Sequence, residues 1–268
     1  MENKIENSIS GRKSKIIPAA GLIFVSLFAI YYFIVSASSP AKKVSSINSE
    51  YGYKKPEKNA LNDSIFNDSA FVALYRQKAF LQARLAMAAT DSVALAINLP
   101  DSIATLSING VSIYRTKISR SKISRVFSRA GEYAVTTMLS KPFTILKDYS
   151  SIEKEPVVHK VAPKDTTEYK PDAHPDTSKV EFVNFILETT DGFRLYVYQE
   201  SRSDFPAAFS TFLFDLTDRL RNSAGVVKSM VLFRKPEYHP FIKIRLPAKD
   251  ARIIYRALPH NGQFAIFR

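Results

Sequence analysis

Two groups of basic side chains carry the chemistry this sequence offers. The first is "YRTKISRSKISR", Tyr114 to Arg125. With Arg129 it sets Arg115, Lys117, Arg120, Lys122, Arg125 and Arg129 between Asp101 and Glu132 without an intervening acid. The second is "HPFIKIR", where Lys243 and Arg245 alternate and His239 precedes Pro240. Cations at every second position of a strand share one face. A row of guanidinium and ammonium groups suits phosphate or carboxylate ligands. The first group therefore reads as a candidate surface for an anionic polymer or for lipid phosphates. The competing reading is a solvated face of a basic chain, whose net charge is +13. Nucleic acid is not an expected partner, because Tyr114 is the one aromatic inside the first run and stacking on bases has little to work with.

Familiar catalytic patterns are missing. The 268 residues contain no cysteine, which excludes disulfides, thiolate metal sites and cysteine nucleophiles. There is no Gly-x-Ser-x-Gly elbow and no phosphate loop among only eight glycines. Asp172, His174 and Asp176 alternate in "KPDAHPD" and could share a metal, but a Pro-rich solvated loop is the simpler reading. His239 reads most simply as a turn residue. No cofactor or metal is expected.

The elements that must position these residues begin with residues 16–37, "IIPAAGLIFVSLFAIYYFIVSA", an uncharged run. As a helix it spans roughly 33 Å at 1.5 Å per residue, enough for a hydrocarbon core of about 30 Å. Lys4, Arg12, Lys13 and Lys15 precede it, so residues 1–15 are expected in the cytoplasm and the bulk of the chain outside. The expectation is a single-pass signal-anchor in the cytoplasmic (inner) membrane, touching membrane lipid through residues 16–37. A signal peptide cleaved after Val35-Ser36-Ala37 is the rival. Residues 38–62 read as a flexible linker. Residues 63–90 read as a stalk or packing helix capped by Asp68 or Ser69, with an apolar stripe of Phe71, Leu74, Leu81, Leu85 and Ala88.

Residues 91–268 form the outer domain. Asn109-Gly110 and Asp191-Gly192 each sit between apolar alternations and predict hairpins. A polar, Pro-containing insertion is expected over about 147–179. Asp204 and Pro206 open a helix with a Phe209, Phe212, Leu213, Leu216 and Leu220 stripe, which Gly225 would close before a strand "VVKSMVLFRK". "FIKIRL", a helix from Pro247 to about Leu258 and "QFAIFR" finish the chain. The fold class expected is α+β, strand-dominated, with two or three packed helices behind one transmembrane helix.

"VALAINLPDSIATLSINGVSIYRTKIS" and "IRLPAKDARIIYRALPHNGQFAIF" carry a resemblance. In the first, two strands lead through Asn109-Gly110 into a third. In the second, Ile244-Arg245-Leu246, Asp250-Ala251, Ile254-Tyr255, Pro259, Gly262 and Phe264-Ala265-Ile266 follow in order. Together these resemble the opening and the close of the L,D-transpeptidase catalytic domain, over about half of the outer domain. The resemblance implies a β-sandwich that acts on peptidoglycan. That family carries Ser-His-Gly-Cys directly before Ile-Arg; here the positions read Pro240-Phe241-Ile242-Lys243. A lysine in the thiolate's place would form a stable amide and turn over nothing, so the family's chemistry is absent. What is expected is a non-catalytic, membrane-anchored envelope protein that binds peptidoglycan or an envelope partner. Its candidate groove is Lys243, Arg245 and His239, with Arg245 alternatively paired to Asp250. The alternatives are a wall-acting enzyme with a non-cysteine nucleophile, or a structural subunit presenting the Phe-rich helix.

Overall fold

The structure, a computed structural model, describes residues 2–53, 68–154, 182–200, 205–232, 234 and 236–268, with first-helix side chains described from Ser26 onward. Its elements in chain order are α1 (Glu2–Tyr51), α2 (Ser69–Ala88), β1 (Ala94–Asn98), β2 (Ile103–Ile108), β3 (Val111–Lys117), β4 (Arg120–Ile123), α3 (Val126–Arg129), α4 (Glu132–Leu139), β5 (Phe143–Ser150), β6 (Asn184–Thr189), β7 (Arg194–Gln199), α5 (Phe205–Val231), β8 (Phe241–Leu246), α6 (Ala248–Ala257) and β9 (Gln263–Phe267). The class is α+β, with six helices among the described residues.

All nine strands join one mixed sheet in the order β3-β2-β1-β9-β5-β6-β7-β8-β4. Both expected hairpins form. Asn109 and Gly110 take φ of 49° and 80°, and Gly192 takes 71°, the positive values that tight turns demand. The terminal strand β9 pairs in parallel with β1, so the two ends of the outer domain lie side by side. The edge strands β3 and β4 are separated by Ile118 and Ser119 alone. Three peptide steps reach roughly 11 Å, so the sheet must curl until its edges meet. Hydrogen bonds from Ile118 N–H to the Ser102 carbonyl and from Ser119 N–H to the Arg245 carbonyl hold that seam.

The curl encloses the main core, where Leu95, Phe185, Leu195, Ile244 and Phe264 meet Ile254 and Tyr255 of α6. Alternation sets the other strand residues outward. On β1 and β9 these are Ala94, Ala96 and Ala265, covered by α2. On β6 and β7 they are Ile186, Tyr196 and Tyr198, lying with Phe214 of α5.

Several expectations need correction. Residues 91–268 hold four described helices, α3 to α6, against the two or three expected, and one curled sheet where the resemblance implies a β-sandwich. The linker 38–62 is helical as far as Tyr51, because α1 docks: Ile47 is 2% exposed, Asn48 Oδ1 accepts from Gly131 N–H (2.8 Å), and Ser39 Oγ donates to the Pro236 carbonyl (2.8 Å). Tertiary contact outweighs the weak local propensity of that stretch.

α2 forms where expected, with Asp68 accepting from Ala70 N–H, but its packed face is Ala79, Phe80, Ala83 and Met87, while Leu74, Leu81 and Leu85 are exposed. Alanines on β1 and β9 leave room that Phe80 and Met87 fill on either side of Ala83. The insertion begins later than 147, because β5 runs to Ser150. Beyond it, Lys154 reaches back to Asp148 (2.7 Å), which also accepts from the Tyr255 hydroxyl (3.2 Å). Asp172, His174 and Asp176 lie outside the described residues.

Gly225 does not end α5. The helix continues through "VVKSMV", and Ser229 Oγ bonds the Gly225 carbonyl (2.9 Å). Asp204 lies outside the described residues. Phe212, Leu213, Leu216 and Leu220 face away from the sheet, for a reason given by the site. The expected membrane run lies within α1. Among the described residues no helix is long and apolar enough to cross a membrane, and the side chains of residues 16–25 lie outside the described residues.

Candidate anion-binding site

β8 carries Lys243 and Arg245 on the face opposite Ile242, Ile244 and Leu246, which are buried in the core. β4 pairs with it antiparallel, placing Arg120 opposite Arg245 and Lys122 opposite Lys243. Residues directly opposite in such a pair share a face, so four cations meet on one patch. Like charges directly opposite one another destabilise a sheet, and here two successive pairs do so. On the other side β7 runs parallel, with Tyr196 beside Lys243 and Tyr198 beside Arg245.

α5 closes one wall. Arg120, Ser121, Lys122, Lys243 and Arg245 with Tyr198, Thr211 and Asp215 line a solvent-open groove of about 600 Å³. Asp215 is the one acid among them, so four cations against one carboxylate leave three positive charges. Among the described residues no carboxylate reaches salt-bridge distance of any of the four cations. Arg245 does not pair with Asp250, whose carboxylate instead accepts from the Tyr114 hydroxyl (2.7 Å) and from Thr116 Oγ1.

Lys243 is the most constrained of the four. Its ammonium donates to the Tyr198 hydroxyl (3.0 Å), which in turn donates to Asp215 Oδ1 (2.6 Å). It also lies 4.5 Å from the Tyr196 ring centroid and 5.2 Å from that of Tyr198, within cation–π range. Burial lowers its pKa below the ordinary 10.5, with Arg219 and Lys122 adding to the effect and Asp215 and Asp218 opposing it. Burial and the Asp215 bond push the Tyr198 phenol upward, and burial with the Asp218 charge pushes Tyr196 up to about 12. Both phenols therefore stay protonated as donors at neutral pH.

This polar lining explains the inverted α5. Tyr196, Tyr198 and Arg194 present donors on the sheet face. The helix answers with Asp218 to Tyr196 (3.0 Å), Asp215 to Tyr198 and Asn222 Oδ1 to Arg194 (2.7 Å). Buried donors cost free energy unless paired, so the polar side of the helix turns inward.

The other sequence candidates separate. Arg115 and Lys117 are exposed on β3, and Arg125 and Arg129 are exposed at the two ends of α3. His239 is apart from the groove. Its Nδ1 donates to the Gly192 carbonyl (2.9 Å), and it lines a different crevice with Glu188, Arg194 and Glu237. Sequence reading missed Tyr196, Tyr198 and Asp215. Alternation in "RLYVYQ" already placed the two tyrosines on one face, but nothing in the chain announced which strand lay beside them. Among the described residues no group of His, Asp and Glu gathers as a metal site. No known protein family, curated protein or solved structure matches this chain.

Proposed function

We propose that this chain is a membrane-anchored envelope protein whose outer domain binds acidic peptidoglycan without processing it. The observation that carries the reading is the pair of like-charge oppositions, Arg120 to Arg245 and Lys122 to Lys243, in an open groove with a single acid. Such an arrangement costs stability in the free protein and is relieved by an anion. Stem-peptide carboxylates have the right charge, and two forked guanidiniums can grip them bidentately.

Two further features support the envelope setting. The parallel β1–β9 pairing joins the two ends that resemble an L,D-transpeptidase, and Lys243, which by sequence position takes the place of that family's cysteine, lines the groove. A groove that keeps its cations after loss of a nucleophile would still be able to grip the carboxylates of a wall peptide. Exposed Leu27, Phe28, Ile30, Phe33 and Ile34 on several sides of α1 suit lipid contact.

Incubation of the full chain with purified sacculi and soluble muropeptides tests the reading. Co-sedimentation that weakens with salt, with muropeptide masses unchanged, is expected. Absence of co-sedimentation would refute binding, and a product of altered mass would refute the non-catalytic assignment.

A further inference from the structure

α5 is an amphipathic helix packed with its polar side inward, and its outer side remains to be matched. Phe212, Leu213, Leu216, Leu220 and Val227 recur at three-, four- and seven-residue steps, a single stripe on a helix. Each is well exposed, Leu220 by 63%. Both acids described in the helix, Asp215 and Asp218, are turned to the tyrosines of β7. The charges left outward on the shoulders of the stripe are cationic, Arg219 and Lys228, while Arg221 turns to the sheet and stacks 3.9 Å over the Tyr149 ring. Apolar residues flanked by cations are the makeup of a helix lying in the plane of an anionic bilayer.

The position of α5 fits the same partner. It runs antiparallel to β7, since Asp215, Asp218 and Asn222 meet Tyr198, Tyr196 and Arg194 in turn. Its C-terminal end leads to Pro236, whose carbonyl holds Ser39 Oγ. Ser39 lies two residues past the end of the apolar run 16–37, where that run would leave the hydrocarbon. The helix is about 40 Å long at 27 residues, and its stripe occupies most of that length. Lying flat from this root would bury the whole stripe, whereas an upright helix would leave most of it in water.

We infer that α5 rests its Phe212–Val227 stripe on the anionic outer surface of the membrane that α1 enters, so that the domain docks on lipid as well as hanging from it. This rests on the membrane-anchored reading above. The chain contains no tryptophan, so Phe212→Trp and Leu220→Trp each place one clean fluorophore on the stripe at an exposed position. The full-length variants are reconstituted into phosphatidylcholine–phosphatidylglycerol vesicles with and without brominated acyl chains, and flotation is checked first. The expected result is blue-shifted emission quenched by the bromines, reduced in phosphatidylcholine alone and by Arg219→Glu with Lys228→Glu. Failure to float would overturn the anchor and the inference with it. Floating protein with water-like, unquenched emission overturns the inference alone. So does blue-shifted emission that bromines leave untouched, which would mean that protein, such as a second copy, covers the stripe.

Discussion

If the four-cation patch serves a ligand, removing one member should stabilise the empty protein. Arg120→Gln is the sharpest such change, because Arg120 is exposed and directly opposes Arg245. Like charges opposite one another cost about 0.2–1 kcal/mol. The same scale follows from Coulomb's law, since two unit charges about 7 Å apart repel by about 0.6 kcal/mol in bulk water. Relief of Arg245, with smaller relief of Lys243 on the diagonal, gives an expected gain of about 0.5–1 kcal/mol. For a chain of this size that is a rise of about 1–4 °C in the melting temperature. The assay is thermal unfolding of the purified full chain in detergent at low salt and again at 1 M salt. At about 1 M the Debye length falls to about 3 Å, and the difference between wild type and variant should vanish. The reasoning fails if Arg120→Gln destabilises the protein by more than about 1 kcal/mol, which would make the guanidinium a structural tie.

Further outcomes follow from the same contacts. Because burial lowers the folded-state pKa of Lys243 below 10.5, the unfolded chain binds more protons between that lowered value and 10.5, and stability should rise as pH climbs through this window. Lys243→Met should abolish that rise in denaturant titrations at a series of pH values. Glu132 is held below its ordinary 4.5: burial opposes ionisation, but Arg76 (2.6 Å) and Arg268 (2.7 Å) more than offset it. Its contribution should be present above pH 4.5 and be lost as pH falls through the lowered value, and Glu132→Gln should flatten that acid limb while destabilising the protein at neutral pH. Ile47→Ala should cost about 2–5 kcal/mol if α1 is docked on the domain, and almost nothing if it were a tether, as read by urea unfolding.

The parts of the fold legible in the sequence were those with local causes. Asn109, Gly110 and Gly192 supply positive φ at defined places, and Asp68 needs only the N–H two residues ahead. The errors came where a distant surface decided the matter. The leucines of α2 suggest one stripe, but the alanines on β1 and β9 pack against Phe80, Ala83 and Met87 instead. Val226 and Val227 argue for a strand, yet that segment continues α5 past the tyrosines, beside a crevice lined by Arg194, Glu237 and His239. The site shows the same division. Period two in "RSKI" and "FIKIRL" put Arg120 with Lys122 and Lys243 with Arg245. That the two strands are neighbours depends on the sheet's curl, which brings both edges to Ile118 and Ser119 and has no local signature.

A groove that holds carboxylates must distinguish an acid from its amide. The most direct test is calorimetric titration of the full chain with a peptidoglycan stem peptide bearing free carboxylates, and with the same peptide amidated. The account predicts salt-sensitive binding of the acid form, weakened about tenfold or more by amidation or by Arg120→Gln with Lys122→Gln, as loss of one charged hydrogen bond would require. Equal affinity for both peptides, or acid-form binding indifferent to the double substitution, would contradict it.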